Sequence, residues 1–224
     1  MKTLNVVSAK SVWLFDINDL NPRGKDIYSD LLEGLKDRYH FEKAPASTSD
    51  LDRTTKGYKF ERGSFQAKEE IFIAVDLEIY NDGIVGNSRS STYETDKFLE
   101  DVLSTLATDF SLTYSPDIIR TKMYTSELTV RLERVLFDLN PKLRDVANMI
   151  SSFCALPGVL PFEVSGLGFS TDLAISHLKP SPFLLERKAS ASFSEKRYYS
   201  KAPLHTDKHE EVLREIEHIL TSGN

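Results

Sequence analysis

Between Ile71 and Tyr80 every odd position is aliphatic (Ile71, Ile73, Val75, Leu77, Ile79), while the even positions carry Phe72, Ala74, Asp76, Glu78 and Tyr80. A period of two puts one set on a dry face and the other on a wetter one, so the segment reads as a strand laid against a core. Asn81, Asp82 and Gly83 tolerate positive φ, and Ile84 and Val85 begin a return run, which makes a hairpin. A chain with this hairpin must build a sheet that is at least partly antiparallel and must cover one side of it.

The remaining elements follow from the same patterns. Residues 12 to 17 are apolar on both faces until Asp16 and predict a strand near the middle of the sheet. Tyr28, Leu31, Leu32, Leu35 and Tyr39 fall at helical spacing and predict a helix over residues 25 to 40. Residues 43 to 56, rich in Ala, Pro, Ser, Thr and Asp, read as a long loop. Tyr58 and Phe60 alternate with Lys59 and Glu61, a strand that would pair with 71 to 80 in a meander. Ser91 or Thr95 would cap a second helix whose stripe is Phe98, Leu99, Val102, Leu103, Leu106 and Phe110.

Two strands are expected next, at 117 to 125 and 128 to 139, with a bulge near Glu133 and Arg134 to restore the phase. Asn140 and Pro141 read as the cap and first turn of a third helix, with Leu143, Val146, Ala147, Ile150, Phe153 and Cys154 facing inward. Residues 160 to 169 and 183 to 199 read as strand-rich, and Thr206 and Asp207 open a last helix with Val212, Leu213, Ile216, Ile219 and Leu220 inward. The order of elements hints at repetition, but no residue-level repeat is visible. The fold expected is α+β, a mixed, mainly antiparallel sheet carrying about four amphipathic helices. It reads as one domain over 1 to 224, with a possible subdivision into 1 to 155 and 156 to 224.

With 34 acidic against 28 basic side chains, the net charge of −6 disfavours a general polyanion binder. A single cysteine, Cys154, leaves no internal disulfide and suits a reducing, cytoplasmic compartment. Neither the first ten residues nor any later stretch has the apolar length of a secretion signal or a membrane span.

Few residues suggest chemistry. Asp16 and Asp19 could hold a hard cation, but Asp and Asn at a strand exit ordinarily make turns. Pro116-Asp117 and Glu127-Leu128-Thr129 nearly match the Pro-Asp and Glu-x-Lys pattern of metal-dependent nucleases, with Thr129 where the lysine belongs. Gly166-Leu167-Gly168, followed by Thr171 and Asp172, weakly suggests a phosphate turn, although glycine there equally marks a bend. His205 and His209 have a spacing of four around Asp207 and read as solvated rather than zinc-binding. Cys154 reads as a small core residue, and no Gly-x-Ser-x-Gly elbow is present.

The segment from Glu186 to Lys201 is more distinctive: Arg187, Lys188, Lys196, Arg197 and Lys201 interleave with Phe193, Tyr198 and Tyr199. Such a pattern suits a protein interface or the stacking of nucleic-acid bases, besides an ordinary half-wet strand. The expectation is a non-catalytic cytoplasmic binding or assembly subunit, a homo-oligomer or part of a larger complex, with no cofactor. A metal-dependent phosphoester hydrolase or nuclease, and a nucleic-acid or nucleotide-binding module built on residues 187 to 201, are the alternatives.

Overall fold

The computed structural model describes residues 1–24, 28–45, 57–154, 160–172, 174–175 and 179–222. Among them are four α-helices and one eight-stranded antiparallel sheet of order β2-β3-β4-β1-β5-β8-β7-β6. The strands are β1 (Lys2–Leu14), β2 (Tyr58–Lys68), β3 (Ile71–Tyr80), β4 (Gly83–Ser88), β5 (Thr121–Arg131), β6 (Gly166–Phe169), β7 (Phe183–Arg187) and β8 (Arg197–Ala202). The helices are α1 (Tyr28–Tyr39), α2 (Thr92–Phe110), α3 (Leu143–Phe153) and α4 (Thr206–Ser222). The fold is α+β, and the chain separates into two compact units.

The first unit comprises residues 7–126 and 204–206. Its hairpin pairs Ile79 with Ile84, Leu77 with Gly86 and Val75 with Ser88, and β1 adds Trp13, Ser11 and Ala9 to the same three rows. Alternation therefore gathers the apolar set on one face, where α2 lies over Gly86. A Cβ at Gly86 would come within 2.9 Å of Thr95 and 3.0 Å of Leu99, so only glycine admits the helix this closely. Thr95 Oγ1 sits 2.8 Å from Ser88 Oγ and 2.9 Å from the Ala9 carbonyl, which satisfies the polar atoms trapped under the helix. Ser91, and not Thr95, is the N-cap, its hydroxyl accepting from Glu94 N at 3.2 Å. Around α2 the core is aromatic, with Tyr39 edge-on to Phe98 at 5.2 Å and Phe41 against Phe60 at 5.2 Å.

The second unit comprises residues 1–6, 127–203 and 207–224. Here β6, β7 and β8 form a meander in which Leu185 pairs with Ser200. Leu213, Ile216 and Leu220 of α4 are buried. Val212 and Ile219, expected inward, are exposed, because the buried stripe runs instead through His209, Leu213, Ile216 and Leu220.

Several boundaries differ from expectation. The first strand covers Lys2–Leu14 and stops before Asp16, which caps a 3-10 turn over Ile17–Asp19. The two strands expected over 117 to 139 are one, β5. Leu128, Thr129 and Val130 are all buried, so the chain runs straight through Ser126 and Glu127. The phase change at Glu133 and Arg134 marks the end of that strand rather than a bulge, and Leu136–Leu139 forms a 3-10 turn. Asn140 belongs to the turn before α3: its side chain accepts from Lys142 N at 3.2 Å, and the helix starts two residues later than its sequence signal. Of the long loop, residues 46 to 56 lie outside the described residues, as do 25 to 27 of the first predicted helix.

The order strand, helix, three strands, helix occurs twice, as β1-α1-β2-β3-β4-α2 and β5-α3-β6-β7-β8-α4. Thr92 and Thr206, which open α2 and α4, stand 114 residues apart, and the same offset carries α1 onto α3 to within a residue, whereas β2 and β6 do not correspond at that offset. The same separation carries β4 onto β8 and the buried Ile84, Gly86 and Ser88 onto the buried Tyr198, Ser200 and Ala202. Side-chain identity changes at each of these three strand positions while burial persists, so the correspondence leaves no visible repeat there in the sequence.

Candidate functional site

The most distinctive surface lies in the second unit, on α3. Leucine, valine, isoleucine and phenylalanine recur at intervals of three and four residues and give the helix a single apolar stripe. The expected burial of that stripe is not found. Val146 is 51% exposed, Met149 57%, Ile150 44% and Phe153 82%, and only Ala147 is buried. Ser151 Oγ donates to the Ala147 carbonyl at 2.7 Å and accepts from Phe162 N at 2.9 Å, tethering the half-exposed Phe162 beside the helix. Arg144 pairs with Asp138 at 3.2 Å and lies 5.4 Å from the Phe137 ring, a charged border to the patch. Cys154, expected in the core, is half-exposed at the C-cap because the stripe it extends points outward.

The basic and aromatic side chains of residues 187 to 201 are largely engaged with their own unit. The Arg187 guanidinium lies 3.9 Å from the Phe193 ring and donates to the Ala191 carbonyl at 2.6 Å. Lys196 Nζ donates to the Glu133 carbonyl at 2.6 Å, and Arg197 pairs with Glu195 at 3.4 Å. Tyr198 is buried, and the Tyr199 phenol is pushed above its ordinary pKa by burial and by its hydrogen bond to Glu127. Lys188 projects from the surface, its backbone N–H held by the Arg197 carbonyl at 3.0 Å.

The carboxylates singled out from the sequence serve turns and ion pairs. Asp16 Oδ1 accepts from Asn18 N and Nδ2, both at 3.0 Å, and Asp19 pairs with Arg120 at 3.6 Å. Asp117 is held by Ser115 in a 3-10 turn, and Glu127 pairs with Lys201 at 3.7 Å. Among the described residues no group of three or more His, Cys, Asp or Glu is placed to hold a metal ion. Gly166-Leu167-Gly168 lies in β6 itself, and Asp172 Oδ1 accepts from Ala174 N at 2.9 Å.

The two histidines part company. His209 is fully buried, contrary to its expected solvation, because its helix turns that side toward β8. Ser200 Oγ spends its single proton on the Leu184 carbonyl at 2.8 Å, so the 2.8 Å contact with His209 requires His209 Nε2 to be the donor. Burial depresses the imidazole pKa to about 4.

His205 belongs to a cluster in the first unit that sequence reasoning misses. Asp96 accepts from Trp13 Nε1 at 3.0 Å and from the Tyr124 hydroxyl at 3.1 Å. The Tyr124 ring stacks 3.6 Å from the His205 ring, whose Nδ1 is 3.2 Å from Thr92 Oγ1. Lys122 Nζ lies 3.6 Å from the Trp13 ring. Burial and the Asp96 carboxylate push the Tyr124 phenol up, so it remains a hydrogen-bond donor and supplies no acid at neutral pH. The cluster's hydrogen-bonded pairs lie 28 to 113 residues apart, and no local pattern links them.

No family model matches the chain, and no curated protein does. Among the described residues no helix is long and apolar enough to cross a membrane.

Proposed function

We propose that this protein is a non-catalytic binding or assembly subunit that acts through protein–protein contact. The observation that carries the reading is the outward stripe of α3, where Val146, Met149, Ile150 and Phe153 stand exposed side by side. A helix held in solution normally turns such a stripe inward, and apolar patches of this kind mark contact surfaces. The spacing of Leu143, Val146, Ile150 and Phe153 is the three-four seam by which helices pack on one another. A helix of a partner chain therefore suits it, and the same helix of a second copy, related by a two-fold axis, is the simplest such partner. A reducing compartment such as the cytoplasm accompanies the reading, on the strength of the lone Cys154.

The test is sedimentation velocity on the full chain and on an Ile150→Asp, Phe153→Asp variant. A species heavier than the 25.4 kDa chain that reverts to monomer in the variant supports pairing of copies. A monomeric native chain moves the proposal to a different partner protein. Capture of one defined partner by the native chain and not by the variant would then support it, and equal capture by both would end it.

A further inference from the structure

The first unit holds a cleft of about 250 Å³ at the end of the sheet where β1, the β3-β4 turn and the C-terminal part of α2 come together. Its buried lining is Leu20, Leu32, Tyr58, Ile79 and Leu106, hydrocarbon apart from the tyrosine hydroxyl. Leu31 and Leu112 are its half-exposed walls. Asn18, Asn21 and Asn81 stand at the mouth, and no acidic or basic side chain is among the described residues that line it.

We propose that this cleft is a binding site for a small uncharged molecule with a cyclic or aromatic body of about ten heavy atoms and one hydrogen-bonding group. The size argument is direct. Apolar cavities of about 150 Å³ already take up benzene, and ordinary ligand pockets start near 300 Å³, so this cleft suits a body between the two. Protein interiors close up voids larger than a water molecule, and a hollow walled by leucine and isoleucine forfeits packing contacts that a ring of matching size restores. The chemistry of the mouth sets the rest. Carboxamides offer both a donor and an acceptor, so they receive an N–H, an O–H or a carbonyl. With no charged side chain among the described wall residues, an ionised ligand would lose its hydration there without a counter-charge from them. The turn residues that carry the asparagines are anchored to the scaffold, since Ile17 N donates to the Asn81 carbonyl at 2.9 Å and Asp16 fixes Asn18. The site thus has a rigid floor and a positioned polar rim, and it is separate from the α3 surface, which belongs to the other unit.

Indole serves as the probe and indole-2-carboxylate as its charged counterpart, titrated into the full chain with its leucine, isoleucine and valine methyls labelled for NMR. Indole should shift the methyls of Leu31, Leu106 and Leu112 saturably, and the carboxylate should bind about tenfold more weakly. Leu112→Trp, at a half-exposed wall, should fill the cleft and weaken indole by about tenfold or more. Shifts centred on Val146 and Ile150 of α3, non-saturable shifts, or undiminished binding in a folded Leu112→Trp chain would overturn the proposal. Should that variant not fold, the location of the shifts in the native chain decides the matter alone.

Discussion

His209 shows how one buried side chain ties stability to pH. Its pKa stands near 4 in the folded chain against the ordinary 6.5 in the unfolded one. Below pH 6.5 the unfolded state takes up a proton that the folded state refuses until about pH 4. Stability present above 6.5 is therefore lost as pH falls through that window, by about 3 kcal/mol in all. Denaturant titrations from pH 7 to pH 4 should show this decline, and His209→Gln, which keeps a donor toward Ser200, should flatten it. Gly83 makes a different residue-level prediction. At φ 151° its added Cβ would stand 2.1 Å from the Trp13 carbonyl, a backbone atom of the neighbouring strand that cannot swing aside. Gly83→Ala should cost about 3 kcal/mol or more by thermal or chemical denaturation.

At the scale of the element, α2 and α3 are opposites built from similar patterns. Leu99 is wholly buried on α2, so Leu99→Ala should remove about 3 kcal/mol. Ile150→Ala on α3, where the side chain is 44% exposed, should change stability by under about 1 kcal/mol while weakening association. Removing the α2 cap with Ser91→Ala should cost about 1 kcal/mol. These helices also show where sequence reading reaches and where it stops. The 71 to 80 strand and its turn were legible because period, turn chemistry and partner are local, and the α2 stripe was legible for the same reason. Periodicity says that α3 has an apolar face but not whether anything in the same chain covers it. The continuity of β5 was hidden because burial on both faces removes the alternation that marks a strand. The Trp13, Asp96, Tyr124 and His205 cluster was illegible because its members meet only through the sheet, and the cleft beside Leu106 was illegible because leucines around a hollow look like leucines in a core.

For the whole molecule the doubled order of elements is the informative fact. Some positions 114 residues apart share their burial, as Leu99 does with Leu213 and Val102 with Ile216, while others do not, as Phe98 is buried and Val212 exposed. Leu213→Ala should accordingly cost about as much as Leu99→Ala, about 3 kcal/mol, when the two are compared by chemical denaturation. The two runs differ in what α1 and α3 bury. Leu32, Leu35 and Tyr39 bury the first against its unit, while the third leaves its stripe outside.

Trp13 is the only indole in the chain, and it is sealed in the first unit with its N–H on Asp96 and an ammonium over its ring. Its emission is thus an optical label confined to one repeat. Red-shifted fluorescence reports water reaching that repeat and is blind to the other, whose own marker is the carbon-bound ring protons of His209. Followed together during acid titration, the two signals reveal whether the halves come apart in step or in succession.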